Sequence, residues 1–155
     1  MKYEVYIRQK NKPEPYYIKA MEEYKKRLGG DCRMDYHVVR KDKEWGKLQA
    51  ESKNPGQVMI RIQAGQAHTS SEQLADMIGE WEMTGAKSVI FLIEDPQLII
   101  QLPEDGAGQA ASDSLMEEDR LCLSCFTMPA AMSAMILLEQ IYRGYRIRNN
   151  QPYHK

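Results

Sequence analysis

Residues 88–93 (SVIFLI) carry five apolar side chains in six positions, with no polar alternation among them. A strand with one face in water alternates, so such a run needs cover on both faces, the setting of a central strand in a parallel sheet. Parallel neighbours cannot be joined by a tight turn; they need long crossovers, usually helical. This stretch therefore commits the chain to helices on both sides of a sheet.

The flanking pattern supplies the partners. Tyr3, Val5 and Ile7 alternate with Glu4, Tyr6 and Arg8, as in a half-buried strand. After a Pro-containing break, Tyr17, Met21, Tyr24 and Leu28 form one helical stripe, and Gly29-Gly30 offers a residue free to take positive φ at the helix end. Met34, Tyr36 and Val38 alternate again, completing a βαβ-like unit for which a right-handed crossover is expected. Residues 41–53 read as a mobile or weakly packed helix around Trp45. Asn54-Pro55-Gly56 is a turn signal, after which Val58, Ile60 and Ile62 line one face of a third strand. Ser70 and Gln73 have capping-box spacing, opening a helix through Leu74, Ala75, Ile78 and Trp81 that closes near Gly85. Past the central strand, 94–111 reads as a long loop and 112–120 as a short acidic helix. The expected fold is a single α/β domain over 1–155, a mostly parallel sheet flanked by helices.

The C-terminal stretch is the richest in signals. Residues 121–126 are a compact apolar run read as a short strand, and Pro129 suits the first turn of a helix that ends soon after Tyr145. Met132, Met135, Ile136, Tyr142 and Tyr145 recur at three- and four-residue spacing, with Glu139 one turn before Arg143 as a possible ion pair. Arg143, Arg146, Arg148 and Lys155, interleaved with Tyr145 and Tyr153, make a small phosphate-tolerant surface. Cys122-x-x-Cys125 has the spacing of zinc and redox sites, but residues three apart on a strand face opposite ways and no second Cys pair exists. No metal is expected, and His37 and His68 lack metal-like partners.

Composition narrows the classes. With 155 residues, 43% of them hydrophobic, there is enough for one packed core. The apolar runs are too short to cross a bilayer and the start lacks a signal-like segment, so the chain is expected to be cytoplasmic with no membrane partner. Three cysteines argue against a disulfide scaffold. A net charge of −1 excludes a grip on nucleic acid through bulk positive charge, so any RNA contact must be local. Glu104, Asp105, Asp113, Glu117, Glu118 and Asp119 gather upstream of the basic tail; two solvated faces would read the same way.

The run LLEQIYRGYRIRNNQPYHK resembles the C-terminal signature of the RlmH family, SPOUT-class methyltransferases acting on pseudouridine in large-subunit ribosomal RNA. EYKKRLG, SSEQLA and GAKSVIFLI agree with it, so the resemblance covers nearly the whole chain. It implies a SPOUT-like fold with a C-terminal trefoil knot, a homodimer whose chains complete each other's sites, and S-adenosyl-L-methionine as cofactor. The implied reaction is N-methylation of a pseudouridine in 23S rRNA, with large-subunit rRNA or the ribosome as partner. By the same resemblance the cofactor is held through backbone groups at Ile62, at Glu94, and at Leu123, Ser124, Cys125, Phe126, Thr127 and Met128. Glu139, Tyr142, Arg143, Tyr153 and His154 are the retained polar candidates. Of these, Arg143, Tyr153 and His154 are the implied catalytic and RNA-contacting set. The bland readings are an intrahelical pair with Glu139 for Arg143 and a solvated side chain for His154.

The sequence also departs from the family. Glu94-Asp95-Pro96 stands where the family has a Gly-Gly pair and a further glycine, and the following loop is longer by about ten residues. Ala130 and Ala134 replace a usual histidine and arginine. Three readings follow: an active rRNA methyltransferase, a degenerate SPOUT homodimer that binds RNA or the ribosome without methyl transfer, and an enzyme of changed substrate that uses the 94–108 loop.

Overall fold

The computed structural model describes residues 1–50, 54–67, 69–99 and 120–152. Among these, five strands run Lys2–Arg8 (β1), Arg33–Val39 (β2), Gln57–Gln63 (β3), Ser88–Glu94 (β4) and Arg120–Cys122 (β5). The helices are Pro15–Leu28 (α1), Asp42–Ala50 (α2), Ser71–Met83 (α3), Pro96–Ile99 (α4) and Ala130–Arg148 (α5). The strands form one sheet in the order β2-β1-β4-β3-β5, with every pairing parallel.

The unalternating run is the middle strand, as expected. Val89, Phe91 and Ile93 point into the larger core with Tyr3, Val5, Ile7, Ile60 and Ile62, against α1, α3 and α5. Ile90 and Leu92 point the other way, against Val39 and Trp45 of α2. Tyr3 is the hub of the larger core, its ring centroid 6.2 Å from Phe91 and 6.4 Å from both Trp81 and Tyr145. The capping box is complete: Ser70 Oγ accepts from the Gln73 N–H, and Gln73 Oε1 accepts from the Ser70 N–H. Gly56 and Gly85 take positive φ, closing the turns into β3 and out of α3.

Several expectations change. Gly29 ends α1 at φ −60°, and neither it nor Gly30 is left-handed. Helix α2 is anchored, because Trp45 is buried. The apolar run 121–126 yields strand only as far as Cys122, so Cys125 lies beyond β5 and the opposite-face argument does not reach it. Within the expected loop, 96–99 form one helical turn. The stripe Met132, Met135, Ile136 and Tyr142 is only half-buried. The face of α5 that enters the core is Ala130, Ala134, Leu137, Leu138, Ile141 and Tyr145. Two apolar rows run down this helix, and periodicity alone does not say which is inside. The rest of the long loop, residues 112–119 of the expected acidic helix, His68, Tyr153, His154 and Lys155 lie outside the described residues, and Arg120, expected to end that helix, opens β5 instead.

Candidate active site

Open parallel sheets bind ligands beyond the carboxyl ends of their strands. Here Ile62 is the register partner of Ile93 on one side and of Leu121 on the other, so β3 centres a row of three strand ends. After Cys122 the chain is sewn by its backbone to the loop that follows β3. The Thr69 N–H donates to the Cys122 carbonyl at 2.8 Å and the Gly65 N–H to the Ser124 carbonyl at 3.1 Å. Ser124 Oγ accepts from the Phe126 N–H at 2.9 Å, and the Phe126 ring is exposed. A Cβ on Gly65 would stand 2.9 Å from Cys122 Sγ, so the two loops approach closely and a larger residue there would have to push the cysteine side chain aside. Sequence reasoning passed over Gly65; one glycine in a polar loop carries no more signal than Gly30 or Gly46.

The end of β4 is fixed differently. The Asp95 N–H donates to the Arg8 carbonyl at 2.9 Å. Its Oδ1 accepts from the Gln97 N–H at 3.0 Å and its Oδ2 from the Ala130 N–H at 3.4 Å. One carboxylate thus serves the first turns of both α4 and α5, where negative charge is stabilised by the helix dipole. Ala130 and Ala134 are fully buried in the core.

The family description "Predicted SPOUT methyltransferase" matches residues 1–154. The chain belongs to the SPOUT methyltransferase family. It is 28% identical over 155 residues to ribosomal RNA large subunit methyltransferase H 1 of Thermoanaerobacter sp. (strain X514), covering all of both chains. It is 31% identical over 160 residues to ribosomal RNA large subunit methyltransferase H of Clostridioides difficile (strain 630), covering 92% of each. End-to-end coverage of the first relative leaves no net excess of length for the 94–111 loop.

In this SPOUT chain the implied site residues do not all meet. Ile62, Glu94 and the start of the 123–128 segment gather at the strand ends. Arg143 lies thirteen residues beyond Ala130 on α5, about 20 Å along the axis. It faces the start of α3, where Ser71 Oγ donates to Gln140 Oε1 at 2.6 Å. The Glu72 carboxyl there is held below its usual range by its own backbone N–H and by Ser70, with Arg143 adding to the effect.

The basic tail is partly structural. Arg146 pairs with Asp31, and Arg148 pairs with Glu82 at 2.7 Å. The Arg148 guanidinium lies so close over α3 that a Cβ on Gly79 would meet its Nη1 at 2.0 Å. Tyr145 is buried, its hydroxyl 3.1 Å from that of Tyr3 and donating to Glu82 Oε1 at 3.2 Å. Tyr145 and Arg146 leave the phosphate-tolerant surface expected from sequence, because their polar groups are used inside the fold, whereas Arg148 stays exposed beside Glu82. Cys122 is half-buried and Cys125 exposed, and no cluster of three or more His, Cys, Asp or Glu able to hold a metal occurs among the described residues. An open cleft of about 540 Å³ lined by Lys25, Asp31, Cys32 and Arg33 lies at the amino ends of β1 and β2, the wrong end for a site of this class.

Proposed function

We propose that this chain is an RlmH-like, S-adenosyl-L-methionine-dependent methyltransferase of a pseudouridine nitrogen in large-subunit rRNA, acting as a cytoplasmic homodimer with a C-terminal trefoil knot. Family membership and the names of the relatives support the chemistry. The observation that carries the site is the backbone stitching of Cys122 and Ser124 to Thr69 and Gly65 beside the end of β3. A pocket walled by main chain tolerates side-chain change, which suits the divergent sequence at 123–128. Among the described residues no helix is long and apolar enough to cross a membrane.

When bound, the cofactor supplies an electrophilic methyl group on a sulfonium. The backbone of Ile62 and of residues 123–128 would hold its adenosine, and Arg143 would bind RNA phosphate. By resemblance, His154 would take the proton from the acceptor nitrogen, a task that suits an imidazole. The separation of about 20 Å between Arg143 and the start of α5 supports the dimer. One rigid helix cannot aim both ends at one methyl group, whereas a second copy can bring its own Arg143.

Asp95 favours a second reading, a SPOUT homodimer that binds RNA or the ribosome without methyl transfer. Its carboxylate already occupies the amino end of α5, an end that would otherwise welcome a ligand's carboxylate. Calorimetric titration with S-adenosylmethionine and its demethylated product separates the two. Micromolar binding, followed by methyl incorporation into 23S rRNA, supports the enzyme; no heat at millimolar ligand supports the binder.

A further inference from the structure

Among the described residues the large apolar side chains left in water are Tyr16, Met83, Ile99 and Phe126. Tyr16 stands in α1, Met83 closes α3 and Ile99 closes α4, whereas Phe126 stands on a loop. That loop is pinned at both ends. Before the ring, the Ser124 carbonyl accepts from the Gly65 N–H at 3.1 Å, and Ser124 Oγ accepts from the Phe126 N–H at 2.9 Å. After it, the Ala130 N–H donates to Asp95 Oδ2 at 3.4 Å. Between the pins residues 125–127 are all exposed, and the Phe126 ring is 74% exposed. The backbone is thus fixed while its largest apolar side chain is held out at the carboxyl end of β5. Leaving a phenyl ring in water forgoes the free energy that its burial would supply, so the fold gains nothing from this placement.

We propose that the Phe126 ring is a stacking platform for one base of the RNA substrate, at the mouth of the site formed by Ile62 and residues 123–128. The assignment rests on RNA being what this site receives. A base whose ring nitrogen is to react must leave the stack of its neighbours, which costs stacking energy. Aromatic side chains return that energy, because every base has a π-face to offer them. A phenyl ring carries no charge and no hydrogen-bond donor, so it contributes a face and no phosphate contact. Phe126 is therefore a positioning residue. The cofactor, held by main chain, does not depend on its ring.

The test is fluorescence anisotropy with a labelled single-stranded fragment of large-subunit rRNA across a salt series, for the wild type, Phe126→Ala, Phe126→Trp and Met83→Ala. Met83 is an exposed apolar control at the far end of α3. Loss of one stacked base weakens binding about five- to hundredfold. That loss is expected in Phe126→Ala, with an unchanged slope of log K against log salt because no phosphate contact is removed. Phe126→Trp should keep the affinity, and Met83→Ala should match the wild type. Wild-type affinity in Phe126→Ala, or an equal loss in Phe126→Trp or in Met83→Ala, overturns the proposal and leaves the RNA reading standing. No RNA binding by the wild type overturns both. Sedimentation and calorimetry read the rival occupants of the ring. A Phe126→Ala protein that sediments as a smaller species than the wild type gives the ring to a second copy. One that loses S-adenosylmethionine affinity in step with RNA gives it to the cofactor. Either result overturns the proposal. A wild type that binds RNA with the expected loss in Phe126→Ala yet transfers no methyl group removes only the enzyme reading.

Discussion

Oδ2 of Asp95 lies 3.4 Å from the backbone nitrogen of Ala130, so the residue after the central strand closes the first turn of the last helix. Removing the carboxylate takes a cap from α5 and frees a positive helix end. Asp95→Gly should cost about 1 kcal/mol of stability, lowering Tm by about 2–4 °C. Affinity for S-adenosylmethionine should rise about two- to fivefold in the same variant, the size of a helix-end charge effect. Calorimetry and a thermal melt read both; a lower Tm with unchanged affinity would show that Asp95 is a cap and nothing more.

Shared sites make a prediction about mixtures. Arg143→Ala and Gly65→Val should each abolish methyl incorporation, the first by removing the proposed phosphate contact and the second by forcing the 65 and 122 loops apart. If the Arg143 of one chain serves the 123–128 segment of its partner, a mixed dimer of the two variants contains one intact site. Co-expression should then restore roughly a quarter of wild-type activity, the statistical share for a symmetric pair. Activity that stays at background in the purified mixed dimer contradicts site sharing.

The sheet was legible because its signals are local. Five apolar residues in six positions placed β4, alternation placed β1 and β3, and Ser70 with Gln73 placed the start of α3. The errors came where two periodic readings compete or where partners are remote. Helix α5 has one apolar row at Met132, Met135 and Ile136 and another at Ala134, Leu137, Leu138 and Ile141. Only packing against α1 and α3 selects the second. Arg146 read as basic surface because Asp31, which uses it, lies far away in sequence. Gly65 and Asp95 went unread as site builders because their partners, Cys122 and Ala130, are close only after the chain has folded.

The contact at Gly65 is testable by a double change. Gly65→Ala places a methyl group 2.9 Å from Cys122 Sγ. Overpacking of this order costs about 1–3 kcal/mol, toward the lower end because a cysteine side chain can turn aside. Cys122→Ala in the same chain should recover most of that loss, giving a coupling of about 1 kcal/mol in a double-mutant cycle. Additive effects in denaturant melts would mean that the two loops do not meet here.

The polar chain at the other end of the sheet, buried at its two tyrosines and exposed at Glu82 and Arg148, sets the response to alkali. Tyr3 donates to Tyr145, which donates to Glu82, itself paired with Arg148. Burial pushes both phenols well above their usual range and the nearby Cys32 thiol up to about 12. Each of these groups is an acid kept neutral in the folded state. In the unfolded chain they lose protons near about pH 9 to 10, while the folded protein holds them. Stability from this source is full below that range and is lost as pH rises toward the folded values. Tm should therefore stay level near neutrality and fall steeply from about pH 9 upward. Tyr145→Phe removes one of the three groups, so it should cost about 1 kcal/mol at pH 7 and flatten the alkaline decline. In the native protein iodoacetamide at mildly alkaline pH should label the exposed Cys125 and spare Cys32, as read by mass spectrometry. An alkaline slope identical in Tyr145→Phe and the wild type, or rapid labelling of Cys32, would mean that the network is open to water.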